Sequence, residues 1–292
     1  MHVPVSASGA SGASVPAPIE PDAGFAAALA AHDRPLAGMW VCSGSPLIAE
    51  LCAGSGLDWL LIDAEHSPNG LESLLAQLQA VHGYPILPVV RPPVLDPVII
   101  KQYLDLGTQT LLVPMVDTAE LAELAVRSVH YPPRGIRGVG SALARASRWN
   151  RTPEYLATAA ERISVIVQIE SAEAVENIES IVAVDGLAGV FLGPSDLAAS
   201  MGHLGLQDHP EVIAAVEHCI AVAVAAGVPA GVNAFAEPLA RRYLAAGAAF
   251  ILVGADVALL ARASEALADR YIPAPGQPGT QPSTGEPGRA SY

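Results

Sequence analysis

LLIDAEH, residues Leu60–His66, is a short apolar run that stops on three ionisable side chains, Asp63, Glu65 and His66. A run of Leu and Ile without polar alternation reads as a strand buried on both faces, as in a parallel sheet covered by helices. The same figure recurs along the chain: PVVR closes on Arg91, VIVQIE on Glu170 and VFLGPSD on Asp196. Counting outward gives eight apolar runs, at Gly38–Gly44, Trp59–Glu65, Leu87–Arg91, Thr110–Val116, Ser164–Glu170, Gly189–Gly193, Pro229–Asn233 and Phe250–Gly254.

Helical patterns lie between them, at Pro46–Ser55, Leu71–His82, Pro97–Leu106, Thr118–Val129, Ala172–Ala183, Pro210–Ala226, Ala236–Ala246 and Val257–Arg270. Several end on a glycine before the next strand (Gly56, Gly83, Gly107, Gly227, Gly247), which suits the left-handed cap of a helix-to-strand loop. The alternation predicts an α/β fold, a closed TIM (β/α)8 barrel. A doubly wound open sheet is the structural alternative, but eight units and no GxGxxG after the first strand favour closure. One stretch breaks the rhythm: Tyr131–Ala159 reads as a long insertion punctuated by Pro and Gly. Its five arginines, Arg134, Arg137, Arg145, Arg148 and Arg151, predict an ordered role beside carboxylates of substrate or of another subunit.

The chain has 292 residues, 51% of them hydrophobic, and a formal charge of −14. That is enough apolar material for one large core, and the acidic balance argues against nucleic acid or an anionic membrane as partner. Small molecules are the expected partners. The longest apolar runs fall far short of the roughly 20 residues a membrane span needs. Three cysteines without scaffold or metal spacing fit a reducing cytoplasm. Residues 1–20 and 272–292, rich in Pro, Gly, Ser, Thr and Ala, read as disordered tails around a barrel domain at 21–271.

Chemistry in such a barrel belongs to the C-terminal ends of the strands. Glu170 and Asp196 end neighbouring strands, so they converge. With no Cys or His beside them they suit a hard divalent cation such as Mg²⁺ or Mn²⁺; taken singly, each reads as a solvated loop carboxylate. Arg91, fixed before Pro92 and Pro93, suits a developing oxyanion, and a structural pairing with Asp63 or Glu65 is its other reading. His66 is the best placed general acid–base. The one lysine, Lys101, lies in a helix, which counts against a Schiff-base mechanism.

Six segments taken in order carry a further signal: DWLLIDAEHSPN (Asp58–Asn69), PVVRP (Pro88–Pro92), GTQTLLVPMV (Gly107–Val116), YPPRGIRGVGSALARASRWN (Tyr131–Asn150), VQIE (Val167–Glu170) and GPSDL (Gly193–Leu197). From about Phe25 to Tyr271 the chain resembles the class II (metal-dependent) 4-hydroxy-2-oxoheptanedioate aldolases, of the hydroxy-oxo-acid or pyruvate aldolase family. The resemblance implies a phosphoenolpyruvate/pyruvate-type barrel. It further implies a divalent metal (Mg²⁺, Mn²⁺ or Co²⁺) on Glu170 and Asp196, and Arg91 on the 2-oxo oxygen of pyruvate. Proton transfer falls to His66, oriented by Asp105 across a subunit boundary. Substrate contacts fall to Gln168 and the Pro194–Asp196 segment. Ser195 stands there where the family pattern leads one to expect alanine, so its hydroxyl is an added contact. The implied substrates are a 2-oxo acid and an aldehyde, and the implied assembly is a homo-oligomer, a hexamer built as a trimer of dimers. A related lyase or aldolase acting on a 2-keto-3-deoxy sugar acid would use the same machinery.

Overall fold

The structure, a computed structural model, describes residues 24–272. The tails read at 1–20 and 272–292 therefore lie outside the described residues, Ile272 excepted.

Eight parallel strands close into a barrel in sequence order: β1 (Leu36–Val41), β2 (Trp59–Asp63), β3 (Leu87–Arg91), β4 (Thr110–Val113), β5 (Ser164–Ile169), β6 (Gly189–Leu192), β7 (Ala230–Asn233) and β8 (Phe250–Ala255). Closure is made by β8 against β1, with Leu36 opposite Phe250. Nearly every strand residue is buried, as expected for a sheet lined inside by side chains and covered outside by helices.

The helices are α1 (Phe25–Ala31), α2 (Pro46–Ala53), α3 (Leu71–Val81), α4 (Pro97–Asp105), α5 (Ala119–Val129), α6 (Tyr155–Arg162), α7 (Ala172–Glu176), α8 (Ile178–Val182), α9 (Pro194–Ser200), α10 (Pro210–Ala225), α11 (Glu237–Ala245) and α12 (Asp256–Tyr271). Several start on a side-chain cap: Asp96 accepts from the Val98 and Ile99 amides, and Thr118 from the Leu121 amide.

The core has two parts. One lies between strands and helices. The other fills the barrel itself, where Trp59, Phe191 and Phe250 pack with Phe25 from α1, ring centroids 5.2–6.4 Å apart. Two glycines make room for these rings: a Cβ on Gly38 would lie 2.5 Å from the Trp59 ring, and one on Gly231 would lie 2.1 Å from Phe250.

Four sequence expectations need correcting. Strands β1, β2, β4, β5 and β6 stop earlier than the apolar runs, so Glu65, Glu170 and Gly193 lie just past them; β3 and β7 end where the sequence reading put them and β8 runs one residue further. The helix expected at Ala172–Ala183 is two short helices parted at Asn177, whose side-chain amide leaves the helix to donate to the Asp117 carbonyl. Helices α1 and α9 were not expected. The insertion at 131–159 is ordered, as its arginines predict, but it holds two 3-10 turns, Ser141–Leu143 and Arg145–Ser147, and leads into α6, which the sequence reading did not mark. Its Arg137 is 1% exposed, donates to Asp105 Oδ1 at 3.0 Å and lies 4.6 Å over the Tyr131 ring. The carboxylate met by this arginine thus belongs to its own chain.

Candidate active site

Strand β2 ends on Asp63, 2% exposed, whose carboxylate organises the loop beyond it. It accepts from the Glu65 and His66 amides and the Ser67 hydroxyl, at 3.0, 3.3 and 3.2 Å. Its neighbour across the β2–β3 register is Arg91, whose Nε donates to Asp63 Oδ1 at 2.8 Å. Burial pushes the Asp63 carboxyl up, but the hydrogen bond and charge of Arg91 outweigh it and hold the group below its usual range.

The guanidinium has little freedom left. It is 4.3 Å above the Trp40 ring, and that indole donates to Asn233 Oδ1 at 2.9 Å. Arg91 Nη1 lies 2.9 Å from Glu65 Oε2 without the alignment to donate to it, so this buried oxygen has a charge beside it and no hydrogen bond. A fork fixed on one edge by Asp63 presents its other edge to the barrel mouth.

Opposite stands Glu170, 3% exposed, at the end of β5. The Met115 amide donates to its Oε1 at 2.9 Å, from a residue at φ 52°, a left-handed conformation that costs a side-chain-bearing residue energy. Gln168 Nε2 donates to its Oε2. The Glu170 carboxyl is pushed up to about 7, chiefly by burial, with the charges of Asp196 and Glu65 adding to the effect. Glu65 is raised too, again by burial first, with Asp63 and Asp196 contributing against the opposing Arg91. Asp196 lies in the first turn of α9, exposed toward solvent.

Gly193 lets these groups meet. A Cβ there would sit 2.9 Å from both Gln168 Nε2 and Glu170 Oε2.

The arrangement fits a divalent cation. Carboxylates that raise one another's proton affinity are destabilised until a cation or protons neutralise them. Glu65 Oε2 and Gln168 Oε1 are moreover buried oxygens with no hydrogen-bond donor.

The HpcH/HpaI aldolase/citrate lyase profile matches residues 36–263, which is the whole barrel from β1 into α12. The chain belongs to this family. HpcH/HpaI enzymes of the aldolase type are carbon–carbon lyases, and so is this one. It is 57% identical over 247 residues to the 4-hydroxy-2-oxo-heptane-1,7-dioate aldolase of Shigella sonnei, covering 85% of this chain and 94% of that one. It is 56% identical over 241 residues to the hydroxypyruvate/pyruvate aldolase of Deinococcus radiodurans, covering 82% and 87%. Among solved structures, an HpcH/HpaI family protein from Burkholderia cenocepacia superposes with TM-score 0.80 at 41% identity, covering 83% of this chain and 96% of that one.

In this HpcH/HpaI barrel the expected residues divide into two groups. Glu170, Asp196 and Arg91 converge electrostatically at the mouth, and Gln168 joins them through Glu170. His66 is exposed on the loop after β2, close enough to Glu65 for its charge to be felt there. Asp105, at the end of α4, is not brought to His66 of its own chain; it is taken by Arg137. The Ser195 hydroxyl donates to Gln207 Oε1 at 3.1 Å on the surface.

Four contributors escaped the sequence reading: Trp40 under Arg91, Asn233 behind Trp40, the Met115 amide and Gly193. An aromatic in a strand reads as core, and a backbone donor leaves no mark in a sequence. A tight trio of possible ligands, His203 and His209 on the loop between α9 and α10 and Glu211 in the first turn of α10, also has its ligand atoms within 4.8 Å of one another. Its imidazoles are stacked at 3.6 Å, and His203 is paired with Glu211.

Proposed function

We propose that this enzyme reversibly cleaves 4-hydroxy-2-oxoheptanedioate, or a closely related 4-hydroxy-2-oxo acid, to pyruvate and an aldehyde such as succinate semialdehyde. The observation that carries the reading is the buried Glu170 carboxyl, raised to about 7 beside Asp196 and Glu65 and facing the immobilised Arg91. Such a site can hold a 2-oxo acid and absorb charge on its oxygen.

Glu170 and Asp196 would hold a divalent cation, Mg²⁺, Mn²⁺ or Co²⁺, which when bound supplies Lewis-acid polarisation of the 2-oxo group. The chain's own residues do the rest. Arg91 offers its free edge to the 2-oxo oxygen as negative charge builds there, and its pairing with Asp63 keeps that edge aimed. Gln168 fixes the Glu170 carboxylate, and the α9 start at Pro194–Asp196 brings backbone amides to the substrate carboxylate. His66 takes the proton of the 4-hydroxyl. The C3–C4 bond then breaks, its electron pair passing into the pyruvate enolate while the C4 oxygen becomes the aldehyde carbonyl. Protonation at C3 completes pyruvate.

The functional unit is a homo-oligomer, a trimer of dimers. Helix α12 supports this: Asp256 is its only buried residue in the single chain, while Leu259, Leu260, Leu267 and Tyr271 are 54–64% exposed. A stripe of that kind on a terminal helix calls for a second copy. In such an assembly Asp105 can face His66 of a neighbour. The enzyme works in the cytoplasm; among the described residues no helix is long and apolar enough to cross a membrane.

A second donor, hydroxypyruvate, is favoured by the Deinococcus radiodurans relative of nearly equal identity. A substrate panel separates the readings. 4-Hydroxy-2-oxoheptanedioate, the corresponding aldol of hydroxypyruvate and a 2-keto-3-deoxy sugar acid are each assayed for cleavage under identical metal loading. The heptanedioate is expected to give the highest kcat/KM; a preference above tenfold for either rival would replace it.

A further inference from the structure

Two arginines of the five-arginine segment, Arg145 and Arg148, and Arg162 at the end of α6 are guanidiniums that the catalytic reading does not use. At the opposite end of the barrel from the mouth, a cavity of about 230 Å³ opens beside the starts of β3, β4 and β5, under the 141–152 segment and α6. Arg145, Arg148, Arg162, His82, Thr108 and Tyr155 line it.

Among the described residues, none of these arginines has a carboxylate within 4.0 Å, although the chain carries a net charge of −14. Two of them are met by other groups instead. Arg145 Nη1 donates to the Leu106 carbonyl at 2.7 Å, and Arg148 Nη2 lies 2.9 Å from His82 Nε2, which must then accept as a neutral imidazole. Arg145 is half-buried, and burial together with the charge of Arg148 lowers its proton affinity. Arg148 and Arg162 are exposed, but a half-buried cation such as Arg145, crowded by a second and without counter-charge, is costly unless an anion joins it.

One further observation belongs to the same space. Gly107, at φ 99°, stands where a Cβ would lie 2.6 Å from Arg145 Nη1, so this glycine admits the guanidinium.

We propose that this cavity is a binding site for a small oxyanion, a phosphate or a compact dicarboxylate, held by Arg145, Arg148 and Arg162 and separate from the catalytic mouth. Planar guanidiniums suit the paired oxygens of either group, and the volume admits one such ion with water.

The test uses the metal-loaded enzyme at fixed ionic strength, with inorganic phosphate, malonate or chloride added. Phosphate or malonate should raise Tm above the chloride control and titrate calorimetrically, the tighter ion identifying the head group. Arg148→Gln and Arg162→Gln should each weaken that binding about tenfold or more, as expected for losing a charge-assisted hydrogen bond. Both variants should keep wild-type aldol cleavage without added anion. In the wild type, the bound ion should slow phenylglyoxal modification of these arginines, read by peptide mass, a result that needs no variant to fold. Unchanged affinity in both variants, or effects no greater than chloride (an adventitious ion only), would overturn the proposal. So would loss of the oligomer in the variants without anion binding in the wild type, because the counter-charge would then belong to a second copy.

Discussion

Glu170→Gln in the metal-free protein should trade function for stability, and the size of the trade follows from the site. The carboxyl is raised from its ordinary 4.5 to about 7. Below about pH 4.5 it is neutral in both folded and unfolded chains and costs nothing. Between 4.5 and about 7 the unfolded chain ionises while the folded one retains its proton, so stability falls by about 1.4 kcal/mol per pH unit. Above that range both are ionised and the penalty is constant at roughly 3 kcal/mol. The amide removes this penalty and keeps the contacts: its oxygen still accepts from Met115, and its nitrogen can donate to Gln168 Oε1, now unpartnered, once that amide turns over. In chelator at pH 8 the variant should therefore melt roughly 6–12 °C above wild type, a gap that closes toward pH 4.5. Added Mn²⁺ should stabilise the wild type and leave the variant nearly unmoved. The reasoning fails if the metal-free variant is no more stable than wild type at pH 8, or if the gap does not shrink on acidification.

The other predictions concern the same mouth. Arg91→Lys should lose turnover about 100-fold or more, since a point charge cannot keep both the Asp63 contact and an aimed edge; exchange of pyruvate C3 protons with solvent should fall alongside, and exchange at the wild-type rate would remove Arg91 from enolate stabilisation. His66→Ala should keep metal affinity and fold while cleavage drops roughly 100- to 10,000-fold; weakened Mn²⁺ binding by titration would make it a ligand instead. Gly193→Ala would place a Cβ 2.9 Å from Glu170 Oε2 and Gln168 Nε2, so metal affinity should weaken although neither ligand is altered, and an unchanged Mn²⁺ Kd would show that the cradle gives way.

The barrel was legible because its strands are buried on both faces and write themselves as unbroken Val, Ile and Leu runs, from LLID at β2 to VIVQI at β5. Their polar ends pointed to the site for the same reason: an ionisable group that breaks such a run sits at the rim. What could not be read was whatever depends on other parts of the fold. Helix α6 follows Glu154 at φ 53° without a side-chain cap, so no start signal precedes its eight residues. Helix α9 begins on the Pro194 that follows β6 and passes for the strand's own end. Arg91 offered two readings, structural pairing and catalysis; the geometry shows the pairing with Asp63, and the proposed catalytic role builds on it. Asp105 shows the opposite limit, because its partner within the chain is Arg137 and its partner across a subunit boundary is a matter for the assembly.

The central claim is metal-dependent retro-aldol cleavage by the Glu170, Asp196 and Arg91 constellation. It is tested most directly by following pyruvate released from 4-hydroxy-2-oxoheptanedioate by exhaustively chelated enzyme, before and after adding back Mg²⁺, Mn²⁺ or Co²⁺. The account predicts no release without metal, recovery with at least one of the three ions, and one aldehyde per pyruvate. Full activity of the chelated enzyme, or no cleavage with any divalent ion, would contradict it.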